Sequence, residues 1–382
     1  MTGPLPFFIF GVARSGTNLV ARMLDAHPHA AVALDPLLPL FRSWRNQVAE
    51  QSAHTLTGAW NPQSSLQDYY FSRDGAALLR MILDADPAQA LPPGGLEHLQ
   101  PAVVDRAALE SPNLAAAFAK WTGSTWGELL ASTVRIISDG KAVHAAGVKE
   151  VWTVEFIPAI RRALPDARFI ILHRDPRAVA ASQMAMARKD PTQAAHSISY
   201  MRHWRKHVTL ARLFSSDSSL GDQVLEVRYE DILLSPKQHA ENLAGFLGLD
   251  FDPAMLAPGK EQGWESNSSF TSAKGGVDAQ AGERWRGKLP AHAVATVEFH
   301  CGIEMRNLGY EPTRAEPGRL DAEVLRGIAE SNAAPGKWRS DSGDEAADLA
   351  WECLRWQLAG PAAVDVPSDL MRRCFLQPEL PN

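Results

Sequence analysis

Short apolar runs alternate with amphipathic segments along much of this chain. Phe7–Phe10 is a continuous apolar run, which is typical of a strand buried on both faces of a parallel sheet. A glycine loop at Gly11–Gly16 follows it, and from Thr17 the apolar residues recur with helical spacing until Pro28. The first ~30 residues therefore predict a strand, a tight loop and a helix, which is half of a βαβ unit.

The same alternation returns in the middle of the chain. Further strands are predicted at Ala31–Leu34, Gly147–Val148, Arg168–Leu172 and Val224–Arg228. Helices are predicted at Val154–Leu164, His196–Phe214 and Pro236–Leu247. Asp175 and Pro176 predict the start of another helix, with Asp175 as its N-cap. Strands that alternate with helices favour a parallel sheet covered by helices on both faces.

Two segments depart from this alternation. Residues 41–135 are rich in Ala, Leu and Trp around a breaker at 92–95, and they predict a mainly helical insertion. Residues 313–382 carry Pro, Gly and a charged stretch before a helix near 346–358. We therefore expect one α/β domain over 1–312 and a C-terminal extension over 313–382 that packs on it.

Composition narrows the class of protein. The chain has 382 residues, of which 45% are hydrophobic and 21% charged, as expected of a globular protein with a sizeable core. A net charge of −6 argues against a nucleic-acid binder, which would need a basic surface. No run approaches ~18 apolar residues, so no membrane span is expected, and the N-terminus lacks the pattern of a signal peptide. Nothing in the sequence indicates a particular oligomeric state.

The cysteines bear on the compartment. The chain has three, Cys301, Cys353 and Cys374, with no CxxC pair among them. This odd and sparse set is neither a disulfide framework nor a zinc site, and we expect a cytoplasmic protein in a reducing compartment.

The glycine loop Gly11–Asn18 predicts a phosphate site. It follows a buried strand and opens a helix, so its backbone N–H groups can point at an anion near the helix N-terminus. Its Gly-x4-Gly frame matches Walker A, but Thr17 and Asn18 replace the Lys-Ser/Thr pair that reaches a γ-phosphate and holds Mg²⁺. Arg14 supplies a cation inside the loop instead. The pattern indicates a nucleotide bound without a metal; the alternative is a glycine turn that only connects strand and helix.

A second anion site is predicted at the end of the strand Arg168–Leu172. Ligands of open α/β sheets bind outside the carboxyl ends of the strands. Arg174 lies there and can offer a planar bidentate donor to a phosphate, and Ser182 could add a hydroxyl. Alternatively, Arg174 pairs with a surface carboxylate and Ser182 has no role. Two anion sites on neighbouring strand ends predict a ligand with two separated phosphate groups.

These blocks resemble the PAPS-dependent sulfotransferases, whose donor is 3′-phosphoadenosine-5′-phosphosulfate (PAPS). Gly11–Asn18 is similar to the family's 5′-phosphosulfate loop, and its continuation Leu19–Pro28 is similar to the tyrosylprotein and heparan-type branch. Arg174–Ser182 resembles the 3′-phosphate motif. The resemblance runs over about 7–312, except for about 41–135, and does not extend to 313–382. It includes three later blocks, Val227–Asp231, Gly282–Arg286 and Asn307–Tyr310.

The resemblance implies a role for each matching residue of the donor site. The 5′-phosphosulfate would be held by Arg14, Ser15, Gly16, Thr17 and Asn18. Arg174 and Ser182 would hold the 3′-phosphate. Tyr229 and Arg286 are weaker donor-site candidates, and the stretch Ser266–Ser272 could supply one more hydroxyl.

The resemblance also implies the catalytic groups. Lys149 matches the family's lysine that stabilises the leaving phosphate, and Arg14 would assist it; the alternative is a solvated surface lysine. For the base, Asp35 falls within one residue of the family's glutamate but differs from it in type and register. Glu150 is the second candidate and an acceptor-side histidine the third. Otherwise Asp35 is only a strand-end cap before Pro36.

Together, these features predict an α/β fold with a P-loop-NTPase-like parallel sheet, a helical insertion and a C-terminal extension. The predicted reaction is metal-independent sulfuryl transfer from PAPS to a hydroxyl or amine of a small-molecule acceptor, releasing adenosine 3′,5′-bisphosphate (PAP). The alternatives are a P-loop-type kinase or nucleotidase that uses ATP and Mg²⁺, and a catalytically silent nucleotide-binding protein. The apolar run Leu37–Phe41 and Trp44 could line the acceptor pocket, but core is the favoured interpretation.

Overall fold

Five parallel strands form the centre of the computed structural model, which describes residues 3–52, 66, 70, 75–190, 197–257, 279–333, 345–360, 371 and 374–376. The strands are β1 (Leu5–Gly11), β2 (Ala30–Leu34), β3 (Ala145–Val151), β4 (Arg168–His173) and β5 (Val224–Arg228). They lie in the order β2-β3-β1-β4-β5, and every neighbouring pair is parallel. The predicted parallel sheet is confirmed, with β3 longer than its short apolar centre at Gly147–Val148 indicated.

Helices connect and cover these strands. In chain order they are α1 (Thr17–Asp25), α2 (Leu38–Gln51), α3 (Gly75–Leu83), α4 (Gly95–Glu110), α5 (Pro112–Phe118), α6 (Trp126–Ser138), α7 (Ile157–Ala163), α8 (Pro176–Ala187), α9 (Ile198–Ser216), α10 (Tyr229–Leu234), α11 (Pro236–Phe246), α12 (Ala291–Asn307), α13 (Ala322–Asn332) and α14 (Glu345–Ala359). The helix predicted at 154–164 begins as a 3₁₀ turn, Val154–Phe156, before α7. Asp175 caps α8 as predicted, because its side chain accepts a hydrogen bond from the Arg177 N–H.

The two faces of the sheet carry separate apolar cores. On β1, Phe8 and Phe10 face a core shared with the helical insertion, whereas Phe7 and Ile9 face a core shared with α1 and α11. Alternate residues of a strand point to opposite faces, so one continuous apolar run serves both layers. This confirms the prediction of helices on both faces.

The insertion packs on the sheet, and the C-terminal extension packs on α12. The described part of 41–135 is mainly helical, from α2 to α6. Leu37, Leu40, Phe41 and Trp44 are fully buried among these helices, which agrees with the core interpretation rather than a pocket lining. In the extension, α13 and α14 pack against α12. Among the described residues, we find no helix that is both long and apolar enough to span a bilayer.

Candidate functional site

The predicted site residues meet at one edge of the sheet. β1 lies between β3 and β4, and all three are parallel, so their carboxyl ends are neighbours. The glycine loop that follows β1 therefore lies between Lys149, near the end of β3, and Arg174, just beyond β4. This is the place where open α/β sheets bind ligands.

The two glycines of the loop are required by their surroundings. A Cβ on Gly11 would overlap the side chains of Ser15 and Thr17, and one on Gly16 would overlap the ring of Tyr229. Gly16 also has a φ of 98°, which L side chains rarely adopt. As the N-cap of α1, Gly16 offers no side-chain oxygen to the first N–H groups of the helix. The loop can therefore admit an anion close to its backbone.

Two guanidinium groups join the predicted anion sites into one cluster. The Arg14 Nε donates to the Ser182 Oγ at 3.0 Å, and the Arg174 Nη1 donates to the Arg14 carbonyl oxygen at 2.8 Å. Burial lowers the pKa of Arg14, and the positive charge of Arg174 lowers it further. Two cations so close together in a buried place favour an anionic ligand.

Arg174 is fixed from several sides. Its guanidinium lies over the Tyr229 ring, 4.3 Å from the centroid, and its Nη2 donates to the Ala281 carbonyl oxygen at 3.2 Å. Trp204 on α9 donates from its indole Nε1 to the Arg174 carbonyl oxygen at 2.9 Å. Within the described part of the chain, the buried Arg174 Nε and Ser15 Oγ have no hydrogen-bond partner. These two donors remain available to a phosphate or sulfate oxygen.

The predicted catalytic residues form a second cluster, beside the loop. Lys149 and Asp35 make a buried ion pair through Nζ and Oδ2. Glu150, the next residue on β3, is fully buried, and its Oε1 accepts the Leu37 N–H. Burial raises the pKa of Glu150 well above its ordinary value, and the nearby Asp35 carboxylate raises it further.

Asp35 lies in a strained turn after β2. Its φ is 47°, in the left-handed region that is uncommon for residues other than glycine. Its N–H donates to the Lys149 carbonyl oxygen at 2.8 Å, and its own carbonyl oxygen accepts from the Arg106 Nε of α4 at 3.3 Å. The insertion therefore buttresses the segment that carries the candidate base.

The remaining predicted donor-site residues differ in how far they are buried. Thr17 is buried in the first turn of α1, and Asn18 beside it is partly exposed. Arg286 is exposed and pairs with Glu283, and its guanidinium lies over the Trp285 ring. The stretch 266–272 lies outside the described residues. The individual roles of all these residues stay predictions.

Sequence reasoning missed several residues that shape the site. Arg106 donates a hydrogen bond to the main-chain carbonyl oxygen of Asp35, and Trp204 donates one to that of Arg174. No local sequence pattern predicts such contacts. Glu230 accepts the Asp175 N–H at 3.1 Å and the Tyr310 hydroxyl at 2.7 Å, linking α10 to the start of α8. Glu230 lies inside the block Val227–Asp231, and this was the sequence feature that could have identified it.

Several known proteins are similar to this chain. A family model described as "Sulfotransferase family" matches residues 6–253. Protein-tyrosine sulfotransferase 1 of Danio rerio is 23% identical over 343 residues, covering 86% of this chain and 79% of that protein. Carbohydrate sulfotransferase 4 of Mus musculus is 30% identical over 115 residues, covering 28% of this chain and 29% of that protein.

Among solved structures, the sulfotransferase domain from the curacin biosynthetic pathway aligns with a TM-score of 0.47 and 16% identity, covering 81% of this chain and 99% of that one. Retinol dehydratase in complex with retinol and PAP aligns with a TM-score of 0.36 and 15% identity, covering 80% of this chain and 82% of that one.

Proposed function

This chain belongs to the sulfotransferase family and is an enzyme of that class, and we propose that its donor is PAPS. The observation that carries the proposal is a pair of arginines, the partly buried Arg14 and the buried Arg174, joined to the glycine loop and to Ser182. A donor with phosphate groups at both ends of its ribose needs two anion sites about one sugar apart. The loop and the Arg174–Ser182 segment supply them on adjacent strand ends.

The buried donors of the cluster fit such a ligand. Ser15 Oγ and Arg174 Nε have no partner among the described residues, and each could meet a phosphate oxygen. The Tyr229 ring closes over Gly16 and under Arg174, so it supports both anion sites at once. Arg286, exposed and paired with Glu283, remains the weaker donor candidate.

Each catalytic residue then has a chemical task. PAPS, when bound, would supply the sulfuryl group, and PAP would be the leaving group, with negative charge building on its 5′-phosphate. Lys149 and Arg14 would neutralise the negative charge that builds on that phosphate, as preorganised cations do in phosphoryl transfer. Asp35 would accept the proton of the acceptor hydroxyl or amine at Oδ1, which is buried without a hydrogen-bond partner among the described residues.

For the acceptor we propose a small molecule that carries a ring next to its hydroxyl or amine. Trp152 is the residue directly after β3, and it is partly exposed. The centroid of its ring lies 5.2 Å from that of Tyr200 and 4.7 Å from that of His203. An aromatic wall at this position favours a flat or CH-rich face. The relatives are named as acting on protein tyrosine and on carbohydrate, so a tyrosyl peptide and a sugar are the competing acceptors.

We also propose a cytoplasmic location and a metal-independent reaction. All three cysteines are free thiols, and Cys301 and Cys374 are buried, which suits a reducing compartment. Fractionation of cells that express the full chain tests the location; recovery in a membrane or lumenal fraction would contradict it. Full activity after treatment with EDTA is expected, and loss that Mg²⁺ restores would contradict metal independence.

The donor is tested by thermal shift and by product analysis on the full chain. PAP with EDTA should raise the melting temperature, and ATP with Mg²⁺ should not, because ligands that bind only the folded state stabilise it. The Arg174→Ala variant serves as the matched control and should lose most of the PAP effect. Stabilisation by ATP–Mg²⁺ alone would indicate the kinase or nucleotidase alternative instead.

Labelled PAPS is then incubated with three acceptor classes: phenols and ring alcohols, a tyrosyl peptide, and a sugar. Mass detection of a sulfated ring compound supports the proposal. Sulfation of the peptide or the sugar alone would overturn the small-molecule acceptor. PAP binding with no sulfated product in any class would leave the catalytically silent alternative.

A further inference from the structure

Glu150 faces the protein rather than the donor site. It is the residue after Lys149 on β3 and is 0% exposed. One carboxyl oxygen, Oε1, accepts the main-chain N–H of Leu37. The other, Oε2, is buried and has no hydrogen-bond partner among the residues that the structure describes. Glu150 is therefore the more enclosed of the two neighbouring carboxyl groups, since Asp35 is 7% exposed.

The hydrogen bond from the Leu37 N–H to Glu150 holds one end of a short turn. The turn Asp35–Pro36–Leu37 joins β2 to α2 and has only two main-chain N–H groups, since proline has none. The Asp35 N–H donates to the Lys149 carbonyl oxygen, and the Leu37 N–H donates to the Glu150 carboxyl. Two consecutive residues of β3 therefore hold both ends of the turn. A strained residue such as Asp35 persists only where its surroundings impose its conformation.

The charges around Glu150 favour its neutral form. The charged groups that face it are Asp35 at the end of β2, Lys149 on its own strand and Arg106 on α4. Lys149 is already engaged by Asp35, and Arg106 donates to the Asp35 carbonyl oxygen. A neutral Glu150 leaves one buried cation and one buried anion, which balance each other. An ionised Glu150 would add a second buried anion next to Asp35.

We propose that Glu150 is a positioning residue that, in its protonated form, holds the Asp35–Pro36–Leu37 turn against β3 and so aims Asp35 at the acceptor. The proposal rests on the proposed sulfuryl transfer with Asp35 as base. Glu150 itself touches neither donor nor acceptor. Its proton also leaves Asp35 as the single anion beside Lys149, and therefore as the group able to accept the acceptor proton.

Steady-state kinetics of three variants test this role. Glu150→Gln keeps a neutral side chain with an oxygen for the Leu37 N–H, so its kcat should stay within about threefold of wild type, a barrier change under about 0.7 kcal/mol. Glu150→Ala frees the turn and should lower kcat by about 10²-fold, as small displacements of reacting groups do. Its KM for PAPS should hardly change, because the Arg14 and Arg174 cluster is intact. Ser111→Ala, which removes the hydroxyl that accepts the Leu34 N–H, is a control for loss of a buried hydrogen bond on β2 and should keep kcat.

The pH profile separates positioning from a structural role. In the wild type, kcat should fall as pH rises through the folded pKa of Glu150, which burial raises, and Glu150→Gln should extend the plateau to higher pH. The inference is overturned if Glu150→Gln loses activity as severely as Asp35→Asn, or if Glu150→Ala keeps wild-type kcat. If the wild type forms no sulfated product at all, the proposed function fails instead, and the next measurement still applies to Glu150.

Two readouts do not need activity. The infrared difference spectrum of wild type minus Glu150→Gln, recorded at the pH where kcat is highest, should contain the carbonyl band of a protonated carboxylic acid; a carboxylate signal alone would overturn the proposal. A raised pKa of Glu150 stabilises the fold fully below its unfolded pKa of about 4.3, and this contribution is lost as pH rises through the folded pKa. The melting temperature of Glu150→Gln should therefore increase relative to that of the wild type as pH rises. A difference between the two melting temperatures that does not change with pH would contradict the proposal.

Discussion

Replacing the Lys149 ammonium should destabilise the protein more than replacing the Asp35 carboxylate. The two side chains are only 4% and 10% exposed and are paired with each other. Lys149→Met leaves the Asp35 carboxylate buried without its cation, and breaking a buried pair from one side costs about 3–5 kcal/mol. In Asp35→Asn the buried Glu150 carboxyl loses the nearby Asp35 charge that disfavours its ionisation, so Glu150 can ionise and partly balance the Lys149 charge. We therefore expect about 1–3 kcal/mol for Asp35→Asn, the range for leaving a buried polar group unsatisfied.

Urea unfolding at pH 7 measures these differences. The free energy of unfolding is determined for the wild type, Lys149→Met, Asp35→Asn and the double variant, each in the full chain. The double variant has neither buried charge, so it should lie close to the milder single variant, with a coupling energy of at least about 1.5 kcal/mol. Additive single effects, within about 0.5 kcal/mol, would refute the pairing, and equal single effects would refute the role of Glu150 as substitute anion.

Arg174→Ala should weaken PAP binding by about ten- to 10²-fold, because a hydrogen bond to a charged group contributes about 1.5–3 kcal/mol, and Arg174→Lys should recover only part of it. Calorimetry measures both, and unchanged affinity in the alanine variant would contradict the assignment. Gly16→Ala should abolish the PAP thermal shift, because the new Cβ would overlap the Tyr229 ring at a φ of 98°; an undiminished shift would argue against the loop as donor site. Glu352→Ala should destabilise the C-terminal part by about 3–5 kcal/mol, because Arg205 loses a buried carboxylate that it contacts at 2.7 Å. Faster limited proteolysis near α14 is the expected result, and an unchanged digestion pattern would count against it.

The strands were predictable because their apolar runs are short and sharply bounded. The predicted strand Val224–Arg228 has the same bounds as β5. The predicted strand Arg168–Leu172 is one residue shorter than β4. β3 was less visible, since Lys149 and Glu150 interrupt its apolar pattern. Their burial depends on a partner from the turn after β2, Asp35, and on the helices above the sheet. A polar residue inside a strand reads as solvent-facing until that partner is known.

The candidate site shows the same limit. The loop Gly11–Asn18 and the segment Arg174–Ser182 each carry a local pattern, and parallel strands bring such patterns to one edge, so their meeting could be predicted. The support of Asp35 by Arg106 spans 71 positions of sequence and arises only because α4 packs beside β2. No local pattern encodes that contact. It depends on how the insertion folds back over the sheet.

Backbone strain unites the two clusters in a way that sequence alone does not reveal. Arg14, Asp35 and Trp152 all have positive φ, and they follow β1, β2 and β3, three neighbouring strands at the binding edge. At about 1–3 kcal/mol each, these conformations together cost about 3–9 kcal/mol, which is comparable with the whole stability of many proteins. They persist because contacts impose them: the Asp35 N–H donates to a β3 carbonyl oxygen, the Arg14 Nε donates to Ser182, and the Trp152 carbonyl oxygen accepts from Lys206 at 3.3 Å. A site held so firmly before any donor arrives needs little reorganisation when charge develops, and that is the condition under which fixed cations lower a barrier most.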